Sequence, residues 1–147
     1  MLGGMKSKRN LVVVHFKDGK LLKGYTHDFT TVREIFHLTL EQENDEENIR
    51  EIRTGDLKAI FFVKSLGGDK YHNEKKKFNE VNDPRLRGLK IKVEFSDGEI
   101  INGISLGYSR NRKGFFIIPI DQQSNNERIY VLADALHDVK VGSAAEK

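Results

Sequence analysis

Residues 12–24 read VVVHFKDGKLLKG, and residues 91–103, 79 positions later, read IKVEFSDGEIING. This recurrence constrains the fold more than any other feature of the chain. Each copy sets an Asp-Gly pair, Asp18-Gly19 or Asp97-Gly98, between two apolar-rich runs. Asp-Gly suits a type I′ two-residue turn, in which both central residues take positive φ. The spacing therefore predicts two β-hairpins, residues 12–16 with 21–25 and residues 91–95 with 100–104. Gly24 and Gly103 fall inside the second strand of each hairpin, where a glycine marks a bulge or a sharp bend. Matching turn and bend glycines in both copies point to a duplicated unit.

The same offset carries apolar residues onto apolar residues well beyond the hairpins. Phe29 falls on Tyr108, Phe36 on Phe115, Leu38 on Ile117, Ile52 on Val131, Leu57 on Leu136, Ile60 on Val139 and Phe62 on Val141. Each unit then reads as hairpin, loop, third strand, polar turn, fourth strand, short turn and fifth strand. Short strands joined by tight turns make a small barrel or sandwich. The expected fold is all-β, with two tandem five-stranded barrels packed together. The first covers residues 10–64, a connector covers 65–88, and the second covers 89–143. A core built from roughly 55 residues is only marginally stabilising, so the two units are expected to pack on each other or to oligomerise.

The 147 residues include no cysteine, which excludes disulfides and thiolate metal sites. No apolar run is long enough to cross a bilayer and no signal peptide is evident, so a cytoplasmic protein without membrane partners is expected. The net charge of +3 permits an anionic partner without requiring one. Residues 1–10, with Lys6, Lys8 and Arg9, read as a basic tail. Residues 41–47 hold five carboxylates but lack the glycine and ligand spacing of a calcium loop, so they read as a solvated hairpin tip. The connector carries Lys75-Lys76-Lys77 together with Tyr71 and Phe78, and is expected to lie partly across a barrel. Residues 115–118 (FFII) show no polar alternation and are expected to be buried on both faces.

The two units differ on the strand face opposite the core. Leu11, Val13 and Phe61 of the first unit correspond to Lys90, Lys92 and Lys140 of the second. An apolar patch marks an interface, and Phe116 and Ile118 are the candidate complement. Docking of the units through these five residues, or capture of a protein partner there, is the first expectation. The alternative is nucleic-acid contact, RNA rather than DNA. It would use Lys90, Lys92 and Lys140, together with the loop that sets Tyr108 beside Arg110, Arg112 and Lys113 as a stacking ring among positive charges.

Catalytic constellations are missing. His15, His27, His37, His72 and His137 form no helical pair or metal-like cluster. The chain has no Gly-x-Ser-x-Gly elbow and no phosphate-cradling glycine loop. No enzyme, cofactor or metal is expected. The arginine motif of the PilZ domain, which binds cyclic dinucleotides on a small barrel, is also absent.

The pattern apolar-x-apolar-x-x-Asp-Gly-x-x-x-x-Gly, followed by Ile52-Arg53-x-Gly55-x-Leu57-x-x-Ile60, resembles the Sm-like fold. That resemblance implies a strongly bent, five-stranded SH3-like barrel, ring assembly and RNA binding. Asp28 stands loosely near the aspartate position of the uridine-reading loop, His37 or Phe116 stands near its asparagine position, and Arg53-Thr54-Gly55 stands near the arginine-glycine signature. Residues 57–63 (LKAIFFV) and 114–119 (GFFIIP), with Ser124-Asn125-Asn126-Glu127-Arg128, look like an uncharacterised bacterial family of duplicated small β-barrels found in regulatory settings. This second resemblance implies a non-catalytic accessory role.

Overall fold

Alternation of apolar and polar residues sets the strands. In the computed structural model, which describes residues 9–41, 48–68, 71–78, 88–121 and 123–147, β1 (Asn10–Phe16) fully buries Val12 and Val14. The others are β2 (Leu21–Thr26), β3 (Ile35–Leu40), β4 (Ile49–Arg53), β5 (Leu57–Val63), β6 (Lys90–Phe95), β7 (Ile100–Leu106), β8 (Gly114–Pro119), β9 (Asn126–Leu132) and β10 (Leu136–Val141). They form one ten-stranded antiparallel sheet in the order β10-β6-β7-β8-β9-β5-β1-β2-β3-β4.

The sequence offset is reproduced in the hydrogen-bond register. Val13 faces Phe61 across β1–β5, and Lys92 faces Lys140 across β6–β10. Both pairings slip at the same relative place, leaving Lys58 and His137 as the extra residues. Phe36 faces Ile52, and Phe115 faces Val131.

The hairpin turns differ from the expected type. Among the described residues only glycines take positive φ, with Gly19 at 95° and Gly98 at 96°. Gly19 N–H donates to the Phe16 carbonyl at 3.1 Å, and Phe16 N–H donates to the Lys20 carbonyl at 2.9 Å. These are three-residue loops in which a left-handed glycine follows an ordinary turn. The aspartate stays at negative φ because its carboxylate accepts the backbone N–H two residues on, from Lys20 to Asp18 and from Glu99 to Asp97, each at 2.9 Å.

Two buried clusters lie on opposite faces of the strands at the seam. One joins Ile91, Val93, Phe95, Phe115, Ile117, Ile129 and Val131 to Ala59, Phe61 and Val63. The other joins Val12, Val14, Phe36, Leu38 and Ile52 to Ile60, Phe62, Tyr130 and Leu132. β5 and β9 thus give one face to each cluster and pair with each other between them. Every residue of β5 is buried. The expectation of two-faced burial at residues 115–118 is corrected here, because Phe115 and Ile117 are buried while Phe116 and Ile118 are half-buried.

Lys58, the second residue of this otherwise apolar strand, is kept charged by the neighbouring hairpin. Its ammonium donates to Asp97 Oδ2 at 2.7 Å and also to Glu99 Oε1. Burial pulls its pKa down, but these hydrogen bonds outweigh burial and leave it raised. Asp97 is correspondingly lowered by the bond from Lys58.

His15 stacks on Phe61 with ring centroids 4.1 Å apart. Burial first, and then the Lys58 charge, lower its pKa from 6.5 to about 4. A depressed folded-state pKa contributes stability above pH 6.5, and that contribution is lost as pH falls towards 4. Discounted for the partly exposed ring, the loss is about 1–2 kcal/mol, a fall in Tm of roughly 2–4 °C per kcal/mol. Thermal melts between pH 7.5 and 4.5 are expected to fall less steeply for His15→Phe, which keeps the ring and removes the proton site. Equal slopes for the two proteins would rule this role out.

Candidate functional site

A groove of about 600 Å³ crosses the outer face of β6 and β7. Its floor is Lys92, Ile100 and Asn102. One wall is the connector, with Lys76, Lys77 and Phe78, and the other is the short 3-10 segment Gly142–Glu146 with Lys147. The sheet places the floor side chains together because Lys92 and Asn102 are directly opposed across β6–β7. Lys140 of β10 faces Lys92 on the other side. Like charges directly opposed across strands repel, and an anion between them relieves that repulsion.

The electrostatics of the groove are one-sided. Among the described residues, the side chains of Lys76, Lys77, Lys92 and Lys147 line it against a single carboxylate side chain, that of Glu146. That carboxylate already accepts the Lys90 ammonium at 2.5 Å. Lys92 donates to the Lys147 main-chain oxygen at 3.2 Å. Asn102 Nδ2 donates to the Lys76 carbonyl at 2.9 Å and so ties the connector to the floor. Asn102 Oδ1 is buried and has no hydrogen-bond partner among the described residues.

The connector wall is held by a polar latch that the sequence did not suggest. Buried Asp121 accepts His72 Nε2 at 2.6 Å, the Lys75 N–H at 2.8 Å and the Gln123 N–H at 3.0 Å. Burial pushes the Asp121 pKa up, but these donors more than offset it, and the net shift is downward. Buried Ser124 donates its hydroxyl to Glu74. A Ser, His and Asp thus lie close together, but the serine hydroxyl is bonded to Glu74 rather than to the histidine, so the arrangement fastens a segment and does not activate a nucleophile.

The remaining candidate residues scatter. Leu11 and Val13 are half-buried against the cluster that contains Phe61, and Phe61 is itself buried at the seam between β5 and β9. Phe116 packs on the other cluster, with its ring 5.8 Å from Phe62 and 4.9 Å from Tyr130. Ile118 is half-buried on β8, facing Ile104 of β7. The Tyr108 ring packs edge-on against Phe115 at 4.9 Å and is not presented as an open stacking platform. Arg110 and Arg112 are exposed. Lys113 pairs with Glu34 at 3.3 Å and borders a different cleft of about 390 Å³, where Lys17, Arg53 and Lys113 are balanced by Glu34, Asp56 and Asp134.

Asp28 and His37, nine residues apart, meet across the loop between β2 and β3. The His37 ring Nδ1 lies 2.7 Å from Asp28 Oδ2, and the His37 N–H donates to Asp28 Oδ1 at 2.9 Å. Burial raises the Asp28 pKa, but the His37 and Thr26 donors reverse that and hold it low. No group of three potential metal ligands occurs among the described residues. The acidic residues 42–47 and the tail residues 1–8 lie outside the described residues.

A model for a family of unknown function, DUF6982, matches residues 8–143. The chain belongs to DUF6982. No curated protein and no solved structure matches it. The groove concentrates unbalanced charge, unlike the cleft around Lys113. No described helix is long and apolar enough to cross a membrane.

Proposed function

We propose that the chain is a non-catalytic, cytoplasmic regulatory module of bacterial origin, built of two Sm-like barrel units. In this reading its lysine groove holds an acidic segment of a protein partner. The observation that carries the reading is the groove's charge among the described residues, four lysine side chains against one carboxylate side chain that is already paired with Lys90. Ile100 and Phe78 add apolar surface for a side chain of the bound segment. A protein segment is favoured over nucleic acid because Tyr108 is packed on Phe115 and Lys113 is paired with Glu34. Two residues of the loop from Tyr108 to Lys113, the stacking ring and one of its three cations, are therefore already engaged.

Fluorescence anisotropy with a labelled Glu/Asp-rich peptide, single-stranded RNA and single-stranded DNA at low and moderate salt tests this. The peptide is expected to bind, with affinity falling as salt screens the groove. Lys76→Glu combined with Lys77→Glu is expected to weaken it by about 10- to 100-fold, or about 1.4–2.8 kcal/mol. Both side chains are exposed, so the fold is expected to survive. Tighter binding of RNA than of peptide, lost on Arg110→Ala with Arg112→Ala, would replace this reading with the nucleic-acid one. No binding of any probe at low salt would remove the groove from consideration.

A further inference from the structure

The seam between the halves is a strand pairing, with Phe61 of β5 opposite Ile129 of β9, Ala59 opposite Val131 and Ile60 opposite Tyr130. The two partners occupy different places in the repeat, since β5 is a fifth strand and β9 a fourth. Contacts of this head-to-tail kind can continue from one molecule to the next. Among the described residues, the strands left unpaired on one side at the two ends of the sheet are β4, a fourth strand, and β10, a fifth strand. A second copy of the chain can therefore lay its β4 along β10 in the register of the seam.

The residues that would meet there are different. The repeat puts Lys140 where the seam has Phe61, and Arg50 where it has Ile129. Asp138 replaces Ala59, and Glu51 replaces Tyr130. Three of the four strand residues of β4 other than Ile52 are charged, and Arg50, Glu51, Asp138 and Lys140 are all exposed. Like charges directly opposed across strands are destabilising, and charged side chains on edge strands prevent edge-to-edge association. Lys140 already faces Lys92 on its paired side, so an incoming Arg50 would add a third positive charge to that row.

We propose that β4 and β10 are matching docking edges for a second copy of this chain, held apart by Arg50 and Lys140. The pairing is used once, inside each molecule, and repulsion stops it from propagating.

The test transplants the seam residues onto the edges, as Arg50→Ile and Lys140→Phe. Light scattering after size exclusion is expected to give the single-chain mass of 16.9 kDa for the wild type. The double variant is expected to form concentration-dependent oligomers at multiples of that mass. Each single variant offers one converted edge, so an equimolar mixture of the two is expected to form a one-to-one dimer at least tenfold tighter than either alone. Arg50→Glu, which sets a carboxylate opposite Lys140, provides a second route to association without adding apolar surface. Melts by circular dichroism establish that each variant is folded. The proposal is overturned by a wild type that already oligomerises and is dissociated by Lys140→Glu, or by folded variants and mixtures that all stay monomeric at high concentration.

Discussion

Phe61→Ala is expected to destabilise the protein by about 3–5 kcal/mol, the range for removing a large aromatic side chain from a packed core. Phe61 is 8% exposed and touches more than one region at once. It stacks on His15 of β1, pairs with Ile129 of β9, and belongs to the cluster built mainly from β6, β8 and β9. A cavity there removes packing from a core whose members outside β5 lie 30 or more residues away in sequence. The halves are expected to unfold in a single transition in the wild type, because β5 and β9 each supply side chains to both clusters. In Phe61→Ala, urea unfolding followed by near-ultraviolet and far-ultraviolet circular dichroism is expected to show a lower midpoint. A change below about 1 kcal/mol would mean that the seam contributes little and that each half is stable alone.

Gly24→Ala is expected to cost about 3 kcal/mol, at the top of the range for overpacking. A Cβ at Gly24 would lie 2.1 Å from the backbone oxygen of Thr39 on β3, and a backbone atom cannot rotate aside. Gly24 also forms one of the two register pairs that join β2 to β3, so displacement there threatens the pairing itself. Gly103 repeats the geometry in the second half, 2.5 Å from the Ile118 oxygen, and Gly103→Ala is expected to behave alike. Gly55→Ala is the control, since a Cβ there meets nothing within 4 Å. Its effect is expected to stay within about 0.5 kcal/mol. Equal Tm values for Gly24→Ala and Gly55→Ala would show that β2 and β3 can move apart freely.

Much of the strand layout was legible because it depends on period and local turn chemistry. Val12, Val14 and Phe16 recur at every second position and so share one strand face, and the Asp-Gly pairs mark where the chain reverses. Gly24 and Gly103, expected from the sequence to mark a bulge or a sharp bend, sit where a Cβ would run into the backbone oxygens of Thr39 on β3 and Ile118 on β8. The turn type was misread because Asp18 and Asp97 hydrogen-bond their own loops and stay at negative φ. Two-faced burial was expected at residues 115–118 and occurs along β5, although residues 57–63 are equally apolar. Lys58 hid that strand, since a lysine in the string suggests an exposed face until its partners Asp97 and Glu99 are known.

The site was less legible than the strands. Lys92 and Lys140 stood out as charged replacements for apolar counterparts, but Lys76, Lys77 and Lys147 joined them only through the path of the connector and of residues 142–147. That path depends on Asp121 meeting His72 and Lys75 across more than 40 residues. No periodicity encodes such a contact.

The sequence by itself determined the β strands, their repetition at 79 positions and the alternating faces of β1 and β6, because these follow from side-chain period and turn residues a few positions apart. Only the tertiary structure decided that β5 pairs with β9, that one continuous sheet results, and which lysines share a groove. Those outcomes turn on which strand edges and buried faces are left to satisfy one another after each local unit has formed, and that is a property of the assembled chain.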